Sequence, residues 1–567
     1  MILKEGLAKK DKAEALTKEL ARLRYEREPF ESGWNLAQQL VSSAVLRFGD
    51  DSDDADRKYE SPKRITSRPA HFMNTLVSGI CGYSINPNIL WQKLGLEDDG
   101  LEKQYGVKDW EEKADGACYK EYNHSNLYGM IPSFIESAVT IGHGVILIDE
   151  DAILQKVRFT TMDAREIYLD TNEYGEVDTV FREFYMTMEN AAAYFGLKHL
   201  SEETRTRWDS DEQTHASPLR ILHAVYKNKD RSGGNTLAGG AFMYASVFVE
   251  CDQNHLIREG GYADFPYAVF YWKRTNGKKY GIGPAQMALN DIKLLHKLEE
   301  SRLEVAQLAT RPPMNVPQKL QGQEQLVPDG RNYYFNHDDV ITPITVGANY
   351  PITLEITKDQ EERIKDWFHV GFFLMLQQQQ TGGKTATEVI ELQGEKAAVL
   401  STMVNNLNAA LQKIVQRTVD ILFKQGKMPE LPAALQSARS PMKVEFLGVL
   451  AQAQKKAHET SGIMNGLQIA NAVAQIARAV PQAAEAFDYV DFAVLLKGGF
   501  DAAAVSQLVI REEDDVRQLR AERAQAQAQA AEQQAMLQQQ QDVIKNYNKL
   551  NEPVNPQSPL ARMGGVA

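Results

Sequence analysis

Residues Gly281–Thr310 read GIGPAQMALNDIKLLHKLEESRLEVAQLAT, and this stretch decides the fold. Pro284 stands near the start of a helical pattern, and Pro312 and Pro313 lie just past its end, which are the positions where helices tolerate proline. Leu289, Ile292, Leu295 and Leu298 recur at every third position, and Val305 and Leu308 resume the stripe. At 1.5 Å per residue a helix of about 26 residues is about 40 Å long, long for a globular domain. A second long helix follows, LEITKDQEERIKDWFHVGFFLMLQQQQ from Leu354 to Gln380, with Ile364, Phe368, Phe372 and Met375 on one face. Between the two, residues 311–352 alternate β-like pieces with proline and glycine turns. The pattern predicts an antiparallel helical hairpin with a decorated tip. The charged first half of the second helix is expected in solvent and its aromatic second half in a core, so the tip projects and the other end is anchored.

Outward from the hairpin, the first 45 or so residues read as helix, with Leu16, Leu20 and Leu23 on one stripe and Trp34, Leu36 and Leu40 continuing it beyond Pro29. An acidic polar loop, GDDSDDADRKYESPKR, separates this from a largely helical region between Ala70 and about Gly144. The period then changes. GVILIDED, VRFTTM, REIYLDTN, VDTVFREFYM, RILHAVYKN, MYASVFVE and YAVFYWKR are short β-rich runs punctuated by Gly, Asn and Asp, with a short helix over Glu189 to Phe195. After the hairpin come a loop hinged on Gly382 and Gly383 and a third long helix, and Ala-rich helices are expected from Pro429 to about Val509. Seven Ala and nine Gln fill 16 of the 21 positions from Ala521 to Gln541, which gives helix propensity without a wide apolar stripe. The expected class is α+β, mainly helical.

The chain has 567 residues, enough for several layers around sizeable cores. Its 76 acidic and 63 basic groups give a net charge of −13, which excludes a general nucleic-acid coat that gains affinity by neutralising phosphates. The N-terminal MILKEGLAKKDKAEALTKEL has charges throughout and no apolar core of signal-peptide length. The longest apolar run, Val370 to Leu376, falls far short of the roughly 20 residues a spanning helix needs. Three cysteines, Cys81, Cys118 and Cys251, form no Cys-x-x-Cys pair and read as buried thiols.

Catalytic and cofactor motifs fail on spacing. Gly382-Gly383-Lys384-Thr385 resembles the end of a phosphate-binding loop, but Gln378 stands where the earlier glycine is required and the preceding segment is helix. Gly281-Ile282-Gly283 opens a helix, yet Gln286 replaces the next glycine of a dinucleotide fingerprint, and a turn feeding a helix explains it. His458-Glu459 lacks a second histidine because Gly462 occupies that position. The acidic run Asp51, Asp53, Asp54 and Asp56 lacks the glycine and terminal glutamate of a calcium loop. Lys273, Arg274, Lys278 and Lys279 form a basic group whose simplest reading is a solvated surface. No enzyme, cofactor or metal is expected.

Trp272, Tyr280, Gly281, Gly283, Pro284, Leu289, Asp291, Ile292, Lys293 and Leu294 resemble the Trp, Tyr-Gly-x-Gly-Pro, Leu and Asp-Ile-Lys-Leu pattern of the head-to-tail connector, or portal, family of short-tailed bacteriophages. Collinear similarities run from about residue 20 to 525: RYEREPFESGWNLAQQL, NPNILWQKLGLEDD, HSNLYGMIPSFIESAVTIGHGVILIDED, TATEVIELQGEKAAVL and DYVDFAVLLKGGFDAAAVSQLVIREEDDVRQLRAERAQ. The Ala/Gln-rich end departs from the pattern.

The resemblance implies a ring, usually of twelve subunits, at one capsid vertex, through which double-stranded viral DNA is packaged and ejected. It implies a wing at 1–280, stem helices at 281–310 and 353–376, a clip at 311–352, a channel loop at 377–386, a wing/channel helix at 387–428, a crown at 429–509, a barrel-type helix at 510–550 and a flexible tail at 551–567. Gln378, Gln379, Gln380, Lys384 and Thr385 would face DNA. Lys319, Gln323, Arg331, Tyr333 and Tyr334 would dock the terminase large subunit and later the tail adaptor proteins. Major capsid and scaffolding proteins, and internal core or ejection proteins at the crown, are the other implied partners, with no membrane. The implied location is the virion, with assembly in the host cytoplasm. A nucleotide-hydrolysing DNA translocase and a non-portal helical scaffold are the alternative readings.

Overall fold

The computed structural model describes residues 9–42, 64–228, 242–378 and 400–448, with short breaks inside these ranges, and residues 536–544. Two compact units divide the chain, Met1–His458 and Glu459–Ala567. In the second, residues 536–544 are helical and every one is exposed.

The first unit opens with α1 (Lys9–Val41), α2 (Arg68–Ser84), β1 (Gln92–Leu96), α3 (Asp99–Glu102), α4 (Val107–His124) and α5 (Leu127–Ile141). A β-rich body follows: β2 (His143–Asp151), β3 (Lys156–Thr161), β4 (Ile167–Thr171), β5 (Val177–Thr187), α6 (Met188–Phe195), α7 (Glu202–Ser210), β6 (Pro218–Lys227), β7 (Tyr244–Glu250), β8 (His255–Tyr262) and β9 (Tyr267–Tyr271). The hairpin comprises α8 (Pro284–Met287), α9 (Leu289–Thr310), β10 (Met314–Asn315), β11 (Thr342–Pro343), α10 (Tyr350–Trp367) and α11 (Val370–Gln378). Then come α12 (Ser401–Lys424) and β12 (Met442–Phe446). The class is α+β, as the residue patterns predict.

The five strands β4-β5-β6-β7-β8 form an antiparallel meander, and β3-β2-β9 form a second antiparallel sheet. On α1, Ala13, Leu16, Leu20 and Leu23 lie at three- and four-residue spacings and bury against Phe181, Leu222, Val247 and Val249 of the larger sheet. The stripe then runs through Trp34, Ala37 and Val41, with Leu36 half-buried beside it. The largest core gathers α2, α4, α5, α12, the small sheet and the root of the hairpin around Phe134, Phe270, Phe368 and Phe373.

Five local expectations need correction. The region from Ala70 to Gly144 contains the strand β1, and the stretch after Pro429 contains β12. These pair in antiparallel register, Gln92 opposite Phe446, so each is stabilised by a partner far away in sequence rather than by local periodicity. The glycine-containing run HLIREGGY is the edge strand β8. The first long helix is jointed at Ala288, between α8 and α9. The second breaks at Phe368 and His369, where His369 adopts φ +50°. That left-handed conformation is uncommon for a residue with a side chain and ends the α10 hydrogen-bond ladder.

Candidate functional site: root and tip of the helical hairpin

The hairpin grows from a joint in which backbone meets backbone. A Cβ at Gly281 would lie 2.3 Å from the Gly142 carbonyl oxygen, and one at Gly283 would lie 2.4 Å from the Val139 carbonyl oxygen. Gly142 ends α5 at φ +93° and faces Gly281 from the other side. The glycines of Tyr-Gly-x-Gly-Pro are therefore packing residues that let the chain cross the C-terminus of α5. Tyr280, immediately before them, packs among Phe30, Trp34 and His143 at ring distances of 5.3–5.4 Å. Its hydroxyl accepts a hydrogen bond from the Leu169 backbone N–H at 3.3 Å. Pro284 then starts α8 at a position where its missing N–H is not needed.

Asp291, in the first turn of α9, accepts hydrogen bonds from Gln360 Nε2 at 2.7 Å and from Trp367 Nε1 at 3.0 Å, both on α10. One carboxylate thus clamps the two antiparallel helices at the body end. Arg68 of α2 pairs with Glu361, and His296 Nδ1 accepts from the Ile65 N–H at 3.2 Å, tying both helices to the body. Trp272 is buried, its ring stacks 6.3 Å from His369, and its carbonyl accepts from Asn406 Nδ2 of α12 at 3.3 Å. The break between α10 and α11 therefore sits on a side chain of the body.

The electrostatics follow burial. Desolvation lowers the pKa of His143 to about 3, with Arg27 adding repulsion, and also lowers those of His296 and His369. These imidazoles are neutral packing groups at pH 7. The basic group around Trp272 is divided: Lys279 pairs with Glu26 and Asp170, and Arg274 bonds the Gly175 and Lys278 carbonyls, whereas Lys273 and Lys278 are exposed. Among the described residues no helix is long and apolar enough to cross a membrane, and no His, Cys, Asp or Glu cluster could hold a metal ion.

At the tip, β10 and β11 pair through Met314 and Pro343, and Ile344 N–H donates to the Pro313 carbonyl at 2.8 Å. Arg331 and Tyr333 lie in the loop this ladder closes, both exposed, Tyr333 by 80%. Asn332 braces the loop: its Oδ1 accepts from Gln325 N–H at 2.7 Å and its Nδ2 donates to the Gln325 carbonyl at 3.0 Å. Lys319, Gln323 and Tyr334 lie outside the described residues, as do Gln379, Gln380, Lys384 and Thr385; Gln378 is the last residue of α11. The clamp partners Gln360 and Trp367 carry no local signal in the sequence, because they act on Asp291 across the hairpin.

The chain's relatives point the same way as its motifs. A family model described as "Bacteriophage head to tail connecting protein" matches residues 13–510. The chain is 29% identical over 520 residues to the "Portal protein" of Salmonella phage epsilon15, covering 90% of this chain and 91% of that one. It is 26% identical over 461 residues to the "Probable portal protein" of Bordetella phage BPP-1, covering 79% and 81% respectively. The Tyr-Gly-x-Gly-Pro joint and the Asp291 clamp thus belong to a chain matched almost end to end, and this protein is a member of the bacteriophage head to tail connecting protein family.

Proposed function

We propose that the chain is a portal subunit. Copies close into a ring, twelve on the family resemblance, at one capsid vertex, and double-stranded viral DNA passes through the ring during packaging and ejection. The observation that carries this reading is the family match over residues 13–510, which takes in the helices, the β-rich body and the hairpin. In this reading residues 281–310 and 353–376 are the stem, 311–352 the clip, 377–386 the channel loop, 1–280 and 387–428 the wing, 429–509 the crown and 510–550 a barrel-type helix. The net charge of −13 suits a conduit, since a channel rich in Lys and Arg would hold phosphates and stall the DNA.

Arg331 and Tyr333, exposed on the loop at the hairpin tip, with Lys319, Gln323 and Tyr334, dock the terminase large subunit and then the tail adaptors. Gln378, Gln379, Gln380, Lys384 and Thr385 brace DNA. Capsid, scaffolding and internal core proteins contact the other layers, and the assembled ring resides in the virion after assembly in the host cytoplasm. Deleting residues 315–345 is expected to leave ring assembly measurable and to abolish terminase binding; normal packaging by that deletion would refute the docking role. Lys384→Ala combined with Gln→Ala at 378–380 is expected to impair DNA retention, and unchanged retention would reduce the loop to a connector.

A further inference from the structure

Side chains close open strand edges in this subunit. On β3, Val157 N–H donates to Glu121 Oε1 at 2.7 Å and Phe159 N–H to Asn126 Oδ1 at 3.0 Å. On β4, Leu169 N–H donates to the Tyr280 hydroxyl, and on β1, Leu94 N–H donates to Asp115 Oδ1 at 2.9 Å. β8, the last strand of the five-stranded sheet, is different. Backbone bonds from Cys251 to Arg220 and from Asn228 to Met243 fix which β7 residues face β6. Arg258, Gly260 and Tyr262 of β8 therefore turn their N–H and C=O groups to β7, while Glu259 and Gly261 turn theirs outward. Among the described residues nothing bonds those outward groups. An uncovered edge of this kind accepts a further strand, and main-chain hydrogen bonds supply the affinity.

The edge opens on a cleft of about 1250 Å³, walled by Ile257 and Glu259 of β8, by Tyr194 and Phe195 of α6, and by Lys10 in the first turn of α1. Tyr194 is 60% exposed and stands edge-on to Phe195, so the cleft offers an apolar wall beside the free backbone. α1 is fastened across β8: Lys12 pairs with Glu259, and Ala13 and Leu16 share a core with Leu256. The chain therefore enters α1 from the cleft, because Lys10, on its wall, is the second residue of the helix. Eight residues precede α1, MILKEGLA. Extended, they cover about 27 Å, the same length as the eight residues of β8. The alternation of a strand puts Leu3 and Leu7 on one side of it.

We infer that residues 1–8 add a sixth strand to the larger sheet by pairing with β8 of the same copy, with Leu3 and Leu7 on the side of Tyr194 and Phe195. The added strand closes the β8 edge and holds the start of α1 on the sheet. The pairing lies within one subunit and does not depend on the ring reading.

The test is amide hydrogen exchange on the full chain, read residue by residue, against a variant lacking residues 2–8. The Glu259 and Gly261 amides are expected to exchange roughly tenfold faster or more in the variant, while those of Arg258 and Gly260, bonded to β7, keep their rates. This alternation separates the loss of a strand from a general loosening of the sheet. A second variant, Leu3→Pro/Lys4→Pro, keeps the length of the segment and removes two successive N–H groups, one of which must face β8. It is expected to give the same alternation. Equal Glu259 and Gly261 rates in the full chain and both variants would overturn the pairing, as would a rise shared by all four amides. Protection that the full chain shows only when assembled would also overturn it, because another copy would then supply the strand.

Discussion

The two halves of the hairpin are built from similar amphipathic sequence and end in opposite surroundings. At the root, Ile292, Leu295, His296 and Glu299 of α9 are buried together with Thr357, Gln360 and Ile364 of α10 and with Phe368. Beyond Glu299 every residue of α9 is exposed or half-exposed, and Leu303 and Ile356 keep 52% and 47% of their surface. Periodicity alone therefore does not bury a helix face; a partner surface does. The root finds that surface in the body through Gly281, Asp291 and Trp272. The distal half keeps apolar area that a single subunit does not use.

The largest effect is expected where that difference begins. Gly281→Ala places a Cβ 2.3 Å from the Gly142 carbonyl oxygen, and neither backbone can move without shifting α5 or the start of α8. A stability loss of about 3 kcal/mol or more is expected in chemical denaturation. An unchanged midpoint would show that the joint is not tightly packed.

Acidification should also act on the body and root. His143 and His223 are buried and neutral, their pKa values lowered to about 3 by desolvation, whereas in the unfolded chain they titrate at their ordinary value near 6.5. The unfolded state binds protons first as pH falls, so folding stability is present above about pH 6.5 and is lost toward pH 3, by up to about 1.4 kcal/mol per pH unit for each histidine. Asp115, pushed up to about 6 by burial, works in the opposite direction below that pH and reduces the net loss. The distal half of α9 beyond His296, and all of α10, contain no histidine. Denaturation at pH 7 and pH 5 should show a smaller loss for His223→Gln than for wild type, and equal losses would contradict the burial argument.

Removing the clamp is a smaller change. Asp291→Ala deletes the acceptor for Gln360 and Trp367 and is expected to cost about 1.5–3 kcal/mol, with faster hydrogen exchange in α10. Smallest of all, Leu303→Ala in the exposed half should change the stability of the unassembled subunit by no more than about 0.5 kcal/mol. A large loss there would mean that the distal half is anchored after all.

Much of this architecture was legible in the residues. The Ala13, Leu16, Leu20 and Leu23 stripe, the β-rich runs from Gly144 to Arg274 and the proline-bounded first helix carry periods of 3.6 and 2 that local inspection detects. The β1–β12 ladder was not legible, because its two strands lie far apart in sequence and only pairing makes either a strand. β8 was hidden by its glycines, and the His369 break packs against a ring, that of Trp272, nearly a hundred residues away. Rejecting a dinucleotide site at Gly281 and Gly283 was possible from spacing, but their use as backbone contacts was visible only with α5 in place. Asp291 stood in the recognised pattern, yet its partners lie 69 and 76 residues away, beyond any local signal.

The central claim, that an anchored hairpin with an unused distal half belongs to a ring subunit, is tested most directly by the native mass of the purified chain. A closed assembly of many copies of the 63.7 kDa chain, seen as rings in negative stain, is the predicted result. A particle that stays near 63.7 kDa across the concentration range would contradict it.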